Sequence, residues 1–270
     1  MPRLLFALAA LALGGGPALA QGAKVFEVRW FGQSFFQVVT PSGKRIVFDP
    51  HLIPAFGKPM GVTADAIIIS HDHNDHTQVE AVEKGKDVKT FYGVKADKPG
   101  RPSDWVKVDE TYKDMKIRSV GTYHDNEGGL KRGKNGIMLV TVDDLTFCHL
   151  GDLGEDLTDN ADKLKTMVKL IGTVDVLFVP VGGIYTINGS EAQKLTKAIN
   201  PRLYAIPMHY DPPNGPGDLL GVDEYLDEVK NVKKTPETNL LTINPALKTD
   251  GYTVQVLGYK PRESDPKKDK

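Results

Sequence analysis

Three of the chain's seven histidines fall within six positions, in Ser70-His71-Asp72-His73-Asn74-Asp75-His76-Thr77. Two aspartates share the same stretch. Imidazole and carboxylate donors this closely spaced suit a divalent metal such as Zn2+, Mn2+ or Fe2+. The remaining histidines, His51, His124, His149 and His209, stand apart along the chain. Cys148 is the single cysteine, which excludes an internal disulfide and any multi-cysteine metal cluster. Metal chemistry here must therefore rest on histidine and carboxylate, and distant parts of the chain must be brought together to supply them.

The elements that could do so are legible as short patterns. Residues 66–70, Ala-Ile-Ile-Ile-Ser, form an apolar run of the kind found in strands buried on both faces. Such a strand would deliver residues 71–76 to a sheet edge, where open α/β sheets bind ligands. Residues 25–31 and 35–39 predict a hairpin around Gly32-Gln33-Ser34, and residues 45–48 a strand ending at Asp49-Pro50. Residues 77–84 predict a helix, with Thr77 as N-cap and Glu80 three residues on. Short strands follow at 90–92, 105–108 and 115–122, then a hairpin of 137–142 with 146–149 across Asp143-Asp144. Beyond it, helices at 161–171, 190–199 (opening on Ser190) and 222–232 alternate with strands at 174–181 and 203–207. This alternation predicts an α/β fold, a four-layer αββα sandwich of two mixed β-sheets with outer helices.

Several of these blocks carry a resemblance. His71-x-His73-x-Asp75-His76 after an apolar strand resembles the signature of the metallo-β-lactamase fold hydrolases. Residues 28–34, Val-Arg-Trp-Phe-Gly-Gln-Ser, resemble the opening hairpin of the branch that includes ascorbate-phosphate lactonases and related small hydrolases. Phe48-Asp49-Pro50, Gly121-Thr122-Tyr123-His124, His149-Leu150-Gly151-Asp152-Leu153-Gly154 and Pro207-Met208-His209-Tyr210 are similar to later motifs of that family, in its order. The resemblance implies two divalent metal ions, Zn2+ first, with Mn2+ or Fe2+ as alternatives. It implies His71, His73 and His124 on one metal, Asp75, His76 and His209 on the other, and Asp152 between them. Three imidazoles would leave a tetrahedral metal one open position, as catalytic sites require. Asp75 is the candidate catalytic residue, orienting the nucleophile as well as binding metal. Asp49 and His149 are expected to support these ligands from behind, and His51 has no assigned role.

A metal pair of this kind implies hydrolysis by a metal-bridging hydroxide. The substrate class stays open among small esters, lactones and phosphoesters. The alternative is a non-catalytic metal- or partner-binding module on the same scaffold. A β-lactamase is the weaker reading, because true zinc β-lactamases lack the bridging aspartate that Asp152 supplies. Residues 125–135 (DNEGGLKRGKN) form a basic, Gly-rich loop after His124. Lys131 and Arg132 there are expected to reach an anionic group of the substrate, with Tyr185 as a further wall of the pocket.

Composition bounds the rest. The chain has 270 residues, 40% hydrophobic and 26% charged, with a formal net charge of −1. That balance suits a globular enzyme acting on a small molecule and excludes the basic footprint of a nucleic-acid binder. Arg3, the uncharged run 4–13 and the Ala18-Leu19-Ala20 site read as a signal peptide over residues 1–20, cleaved before Gln21. The run is too short to span a bilayer as an anchor. The expectation is a periplasmic or secreted protein with one hydrolase domain over 21–261. Residues 262–270 read as a charged, disordered tail. Nothing in the sequence sets the oligomeric state.

Overall fold

The computed structural model describes residues 25–96, 98, 101–246 and 250–260. The expected signal peptide lies outside them, as does the tail. Two mixed sheets face each other. The first has the order β15-β1-β2-β3-β4-β5, with β1 Phe26–Trp30, β2 Phe36–Val39, β3 Arg45–Phe48, β4 Thr63–Ile69, β5 Glu83–Tyr92 and β15 Leu240–Ile243. Its β3, β4 and β5 run parallel and the rest antiparallel. The second has the order β14-β16-β13-β12-β11-β10-β9-β8. Its members are β8 Asp109–Tyr112, β9 Met115–Tyr123, β10 Lys134–Val142, β11 Leu145–His149, β12 Val176–Pro180, β13 Tyr204–Met208, β14 Val232–Thr235 and β16 Thr253–Leu257. A small ribbon pairs β6 Val94–Lys95 with β7 Asp104–Trp105.

Side-chain alternation explains the sandwich. On β1, Phe26, Val28 and Trp30 are buried while Glu27 and Arg29 are half-exposed, so one face points to the second sheet. Phe36 stacks on Phe178 of β12 at 4.2 Å between ring centroids, and Phe26 meets Phe147 of β11 at 5.6 Å. Each such buried ring contributes roughly 2–3 kcal/mol. The β4 run is buried on both faces, as its sequence predicts. Ala66 and Ile68 join the inter-sheet core. Ile67 and Ile69 pack outward with Phe35, Val47, Ala81 and Val82.

The helices cover the second sheet. α1 Ala161–Ile171 is capped by Asn160, whose side chain accepts from the Asp162 and Lys163 amides. α2 Gly189–Ile199 packs on β12, on α1 and on the single turn α3 Asp223–Leu226. Its cap is Asn188, not Ser190, in a reciprocal capping box with Glu191.

Two expected helices differ. Residues 77–84 form a 3-10 turn at Val79–Ala81 and then enter β5, because parallel pairing of Thr63 with Glu83 and Ala64 with Lys84 captures the backbone. Thr77 does not cap; its hydroxyl donates to the His73 carbonyl. The outer layer on the first sheet is therefore thin. Residues 222–232 stop after one turn, because Gln193 takes the Tyr225 and Asp227 carbonyls and Glu228 adopts φ +55°. Among the described residues, no helix is long and apolar enough to cross a membrane.

Candidate metal centre

The chemistry-bearing residues converge where strands end at one edge of the sandwich. Asp49 follows β3, residues 70–76 follow β4, His124 follows β9, residues 150–152 follow β11 and His209 follows β13. Buried Asp49 organises the histidine-rich turn. One of its oxygens accepts from the Ser70 amide (2.7 Å). The other accepts from the Ser70 hydroxyl (2.5 Å) and from His76 Nδ1 (2.9 Å). Because the Ser70 hydroxyl donates to Asp49, it can only accept from His71 Nδ1, 2.9 Å away. Both imidazoles are thereby fixed in the tautomer whose Nε2 carries a lone pair, aimed into the site.

Asp152 is the hub of that site. Its Oδ2 lies 2.9 Å from His209 Nε2, 3.1 Å from His76 Nε2, 3.4 Å from His124 Nε2 and 3.9 Å from His71 Nε2. Its backbone amide donates to Asn135 Oδ1 (3.0 Å) and its Oδ1 accepts from the Ser34 hydroxyl (3.3 Å). The approach needs Gly151, at φ +57°, since a Cβ there would sit 2.3 Å from the Asn135 amide oxygen. Gly182 is required in the same way beneath His209, whose carbonyl a Cβ would meet at 2.1 Å.

The donors fall into two groups, each with ligand atoms within 4.8 Å of one another: His71, His73 and His124, and then Asp75, His76, Asp152 and His209. A third set, Asp49 with His71 and His76, overlaps both. Asp49 is engaged by three hydrogen-bond donors, so it supports the ligands instead of joining them. His71 Nε2 is buried without a hydrogen-bond partner, an arrangement costly for a polar atom unless a cation takes its lone pair. His76 Nε2 likewise faces two carboxylates, Asp152 and Asp75 (3.4 Å). A ring nitrogen set between two carboxylates calls for a positive charge there, supplied by a proton or by a cation. By donor type, burial and orientation, the residues present fit divalent metal.

The electrostatics carry the same imprint. Burial opposes a charge on His76, yet Asp152, Asp75 and Asp49 outweigh it and raise its pKa well above the ordinary value. Burial and the neighbouring His76 push His71 well down, and burial and His124 lower His73. Asp152 is buried, but His209 and His76 hold its carboxyl well below the usual range. Asp75 is also lowered, His76 overcoming its burial.

All seven predicted ligands meet at this one place. His149 stands behind it: its Nε2 donates to the Ser34 carbonyl, its Nδ1 accepts from the Gly151 amide, and its ring stacks on Phe48. Burial keeps it neutral by lowering its pKa. The basic loop is fastened by Asp125, which accepts from the amides of Glu127, Gly129, Lys131 and Arg132. Lys131 is exposed and paired with Glu127. Arg132 and Tyr185 instead line a cleft of about 310 Å³ above the cluster, with Gln33, His73 and Asp218.

Sequence reasoning did not single out Gln33, Ser34, Ser70, Asn135 or His51. Gln33, at φ +48°, donates to Asp75 Oδ2 (3.0 Å) and accepts the His209 amide at its carbonyl (3.1 Å). His51 holds the Gly32 carbonyl with Nε2, and burial lowers its pKa to about 4. The signals in the sequence that pointed to this turn are Gly32 between two strand patterns and the resemblance of residues 28–34.

Comparison with known proteins supplies the context. Residues 27–209 match the family model for the β-lactamase superfamily domain. A UPF0173 metal-dependent hydrolase of Thermodesulfovibrio yellowstonii is 29% identical, covering 86% of this chain and 94% of its own. One of Thermococcus onnurineus is 29% identical over 68% of this chain and 84% of its own. A crystal structure of a candidate Zn-dependent hydrolase of the metallo-β-lactamase superfamily from Thermotoga maritima superposes with a TM-score of 0.62 at 31% identity. It covers 86% of this chain and 98% of the other.

Proposed function

The chain belongs to the metallo-β-lactamase superfamily and is a metal-dependent hydrolase, and on that premise we propose that it holds two divalent metal ions and cleaves a small ester, lactone or phosphoester. His71, His73 and His124 would hold one ion, and Asp75, His76 and His209 the other. Asp152 would lie between them, with Zn2+ the best match to the donors. The observation that carries this reading is the partnerless, buried His71 Nε2 beside a carboxylate shared by four imidazoles. Such an ion pair, when bound, lowers the pKa of a water toward neutrality and stabilises charge on the attacked oxygen.

The chain's own groups do the rest. Asp49 and Ser70 hold His71 and His76 in their lone-pair tautomers. Gln33 holds Asp75 at the cleft floor. The Asp75 carboxyl is lowered by His76 against its burial, so it is ionised at neutral pH. In that state it orients a water by accepting a hydrogen bond and does not store a proton. The place of Asp152 among four imidazoles, and a Cys148 buried in the core instead of facing the cleft, favour this reading over a β-lactamase.

Residues 1–20 are proposed as an export signal, supported by the Arg3, apolar-run and A-x-A pattern. Recovery from the periplasmic fraction with Gln21 at the N-terminus is the expected result; an uncleaved cytoplasmic product contradicts it. The activity is tested by stripping metal, restoring Zn2+ or Mn2+, and assaying chromogenic esters, lactones and bis(4-nitrophenyl) phosphate. Metal-dependent turnover of one class is expected. Absence of turnover across all three contradicts hydrolysis of these classes.

A further inference from the structure

The cleft over the cluster is lined by an arginine that forms no ion pair among the described residues. Three basic side chains leave the loop after His124, and two are engaged elsewhere. Lys131 pairs with Glu127, and Lys134 pairs with Asp104 (2.7 Å) while covering the Trp105 ring. Arg132 differs. Its Nη2 donates to the Ile184 carbonyl (3.1 Å) and its guanidinium lies 5.4 Å from the Tyr185 ring centroid. Among the described residues it makes no ion pair, although Asp218 lines the same cleft. Its backbone is held as firmly as its side chain, since its amide donates to Asp125 Oδ2 (2.7 Å). Arg132 is therefore half-buried, its guanidinium fixed from two directions and its backbone from a third, with N–H groups left free at a cleft that it shares with His73, His124, Asp152 and His209.

We propose that Arg132 is the specificity residue of this hydrolase and that the substrate carries an anionic group, carboxylate or phosphate, beside its scissile bond. This rests on the hydrolytic reading of the same site. A planar, preorganised guanidinium loses little freedom on binding and grips two oxygens of such a group at once. The Ile184 carbonyl and Tyr185 ring set the plane of that fork, so the loop 182–187 positions the reader while the loop 125–133 supplies it. The basic loop thus acts through one residue and not through its summed charge.

The test uses matched substrates on the full, metal-loaded chain: 4-nitrophenyl hemiglutarate against the equally long, neutral 4-nitrophenyl valerate. In Arg132→Met, kcat/KM for the anionic ester is expected to fall about tenfold or more, with the neutral ester within about threefold. Arg132→Lys should recover part of the loss. Lys131→Ala should not reproduce it. Equal losses on both esters would mean that Arg132 only braces the loops, and equal effects of Lys131→Ala and Arg132→Met would mean that bulk loop charge is at work. Either result overturns the proposal. Calorimetric titration with glutarate and with inorganic phosphate, wild type against Arg132→Met, provides a readout that needs no turnover. Weaker binding of one anion in the variant identifies which oxyanion is read. Unchanged binding of both overturns the assignment. If no ester is cleaved but anion binding still depends on Arg132, the hydrolytic reading fails while the anion site stands.

Discussion

The two donor groups of the centre are built differently. His71, His73 and His124 offer only imidazole nitrogen, and burial drives His71 and His73 toward the uncharged form. Asp75, His76, Asp152 and His209 include two carboxylates, and their negative field raises His76 instead. One half of the site thus resists protons because burial and neighbouring imidazoles act without a carboxylate of its own. The other half draws positive charge by being anionic. The same imidazole chemistry reaches opposite electrostatic states within one cluster, and the difference lies in how closely Asp49, Asp75 and Asp152 surround His76. In the proposed two-metal arrangement, one ion would satisfy the orphaned His71 Nε2 and the other would offset the carboxylates.

Asp152 belongs to the carboxylate-rich group and also lies 3.4 Å from His124 and 3.9 Å from His71 of the other. Asp152→Ala is expected to lower activity at least about a thousandfold, with metal lost from both halves, measured by turnover and by metal analysis of dialysed protein. A variant that keeps one full equivalent of metal would show the halves to be independent.

The pH response of the metal-free protein separates His76 from the buried imidazoles around it by sign. His51, His71, His73 and His149 have folded pKa values below 6.5, His51 at about 4. The unfolded chain therefore binds protons that the native chain refuses. Their contribution is fully present above about pH 6.5 and is lost as the pH falls toward 4, with His51 alone worth on the order of 3 kcal/mol. His76 has the opposite sign: its contribution is full below pH 6.5 and disappears as the pH rises through its raised value. Thermal melts of the stripped protein should lose several degrees between pH 6.5 and 5. A flat acid limb would contradict the burial-driven shifts.

Asp49 tests the tuning of one half against the other. It meets His76 directly but reaches His71 only through Ser70. Asp49→Asn should weaken metal binding about 10- to 100-fold at the carboxylate-rich group, and less at the three-histidine group, followed by competition with a chelator. Equal weakening would place its influence on the whole turn. The smallest effect belongs far from the centre. Asn188→Ala removes the cap of α2 and should cost about 1 kcal/mol in chemical denaturation with unchanged metal content.

The sequence was most readable where function is local. Four ligands lie within six residues after β4, and their spacing alone points to metal. His124, Asp152 and His209 became legible only as motifs in a family order, because three other strand ends must deliver them. The support behind them was hardest to read. Ser70, Asn135 and Gln33 are ordinary polar residues in sequence, and their roles come from contacts such as Gln33 to Asp75, across 42 positions. The missed helices have a comparable cause. A capping pattern at Thr77 and the helix expected at 222–232 were overridden by strand pairing and by Gln193 capturing two carbonyls. Helix 161–171 survived intact, since its Asn160 cap and its Gly172 stop are both local.

The central claim is a two-metal centre with unlike halves, and counting metal tests it most directly. Stripped protein is equilibrated with Zn2+, dialysed, and analysed for metal per chain. The account predicts two per chain in the wild type and one in His71→Ala, with the carboxylate-rich half retained. A wild-type value of one or none, or an undiminished count of two in His71→Ala, would contradict it.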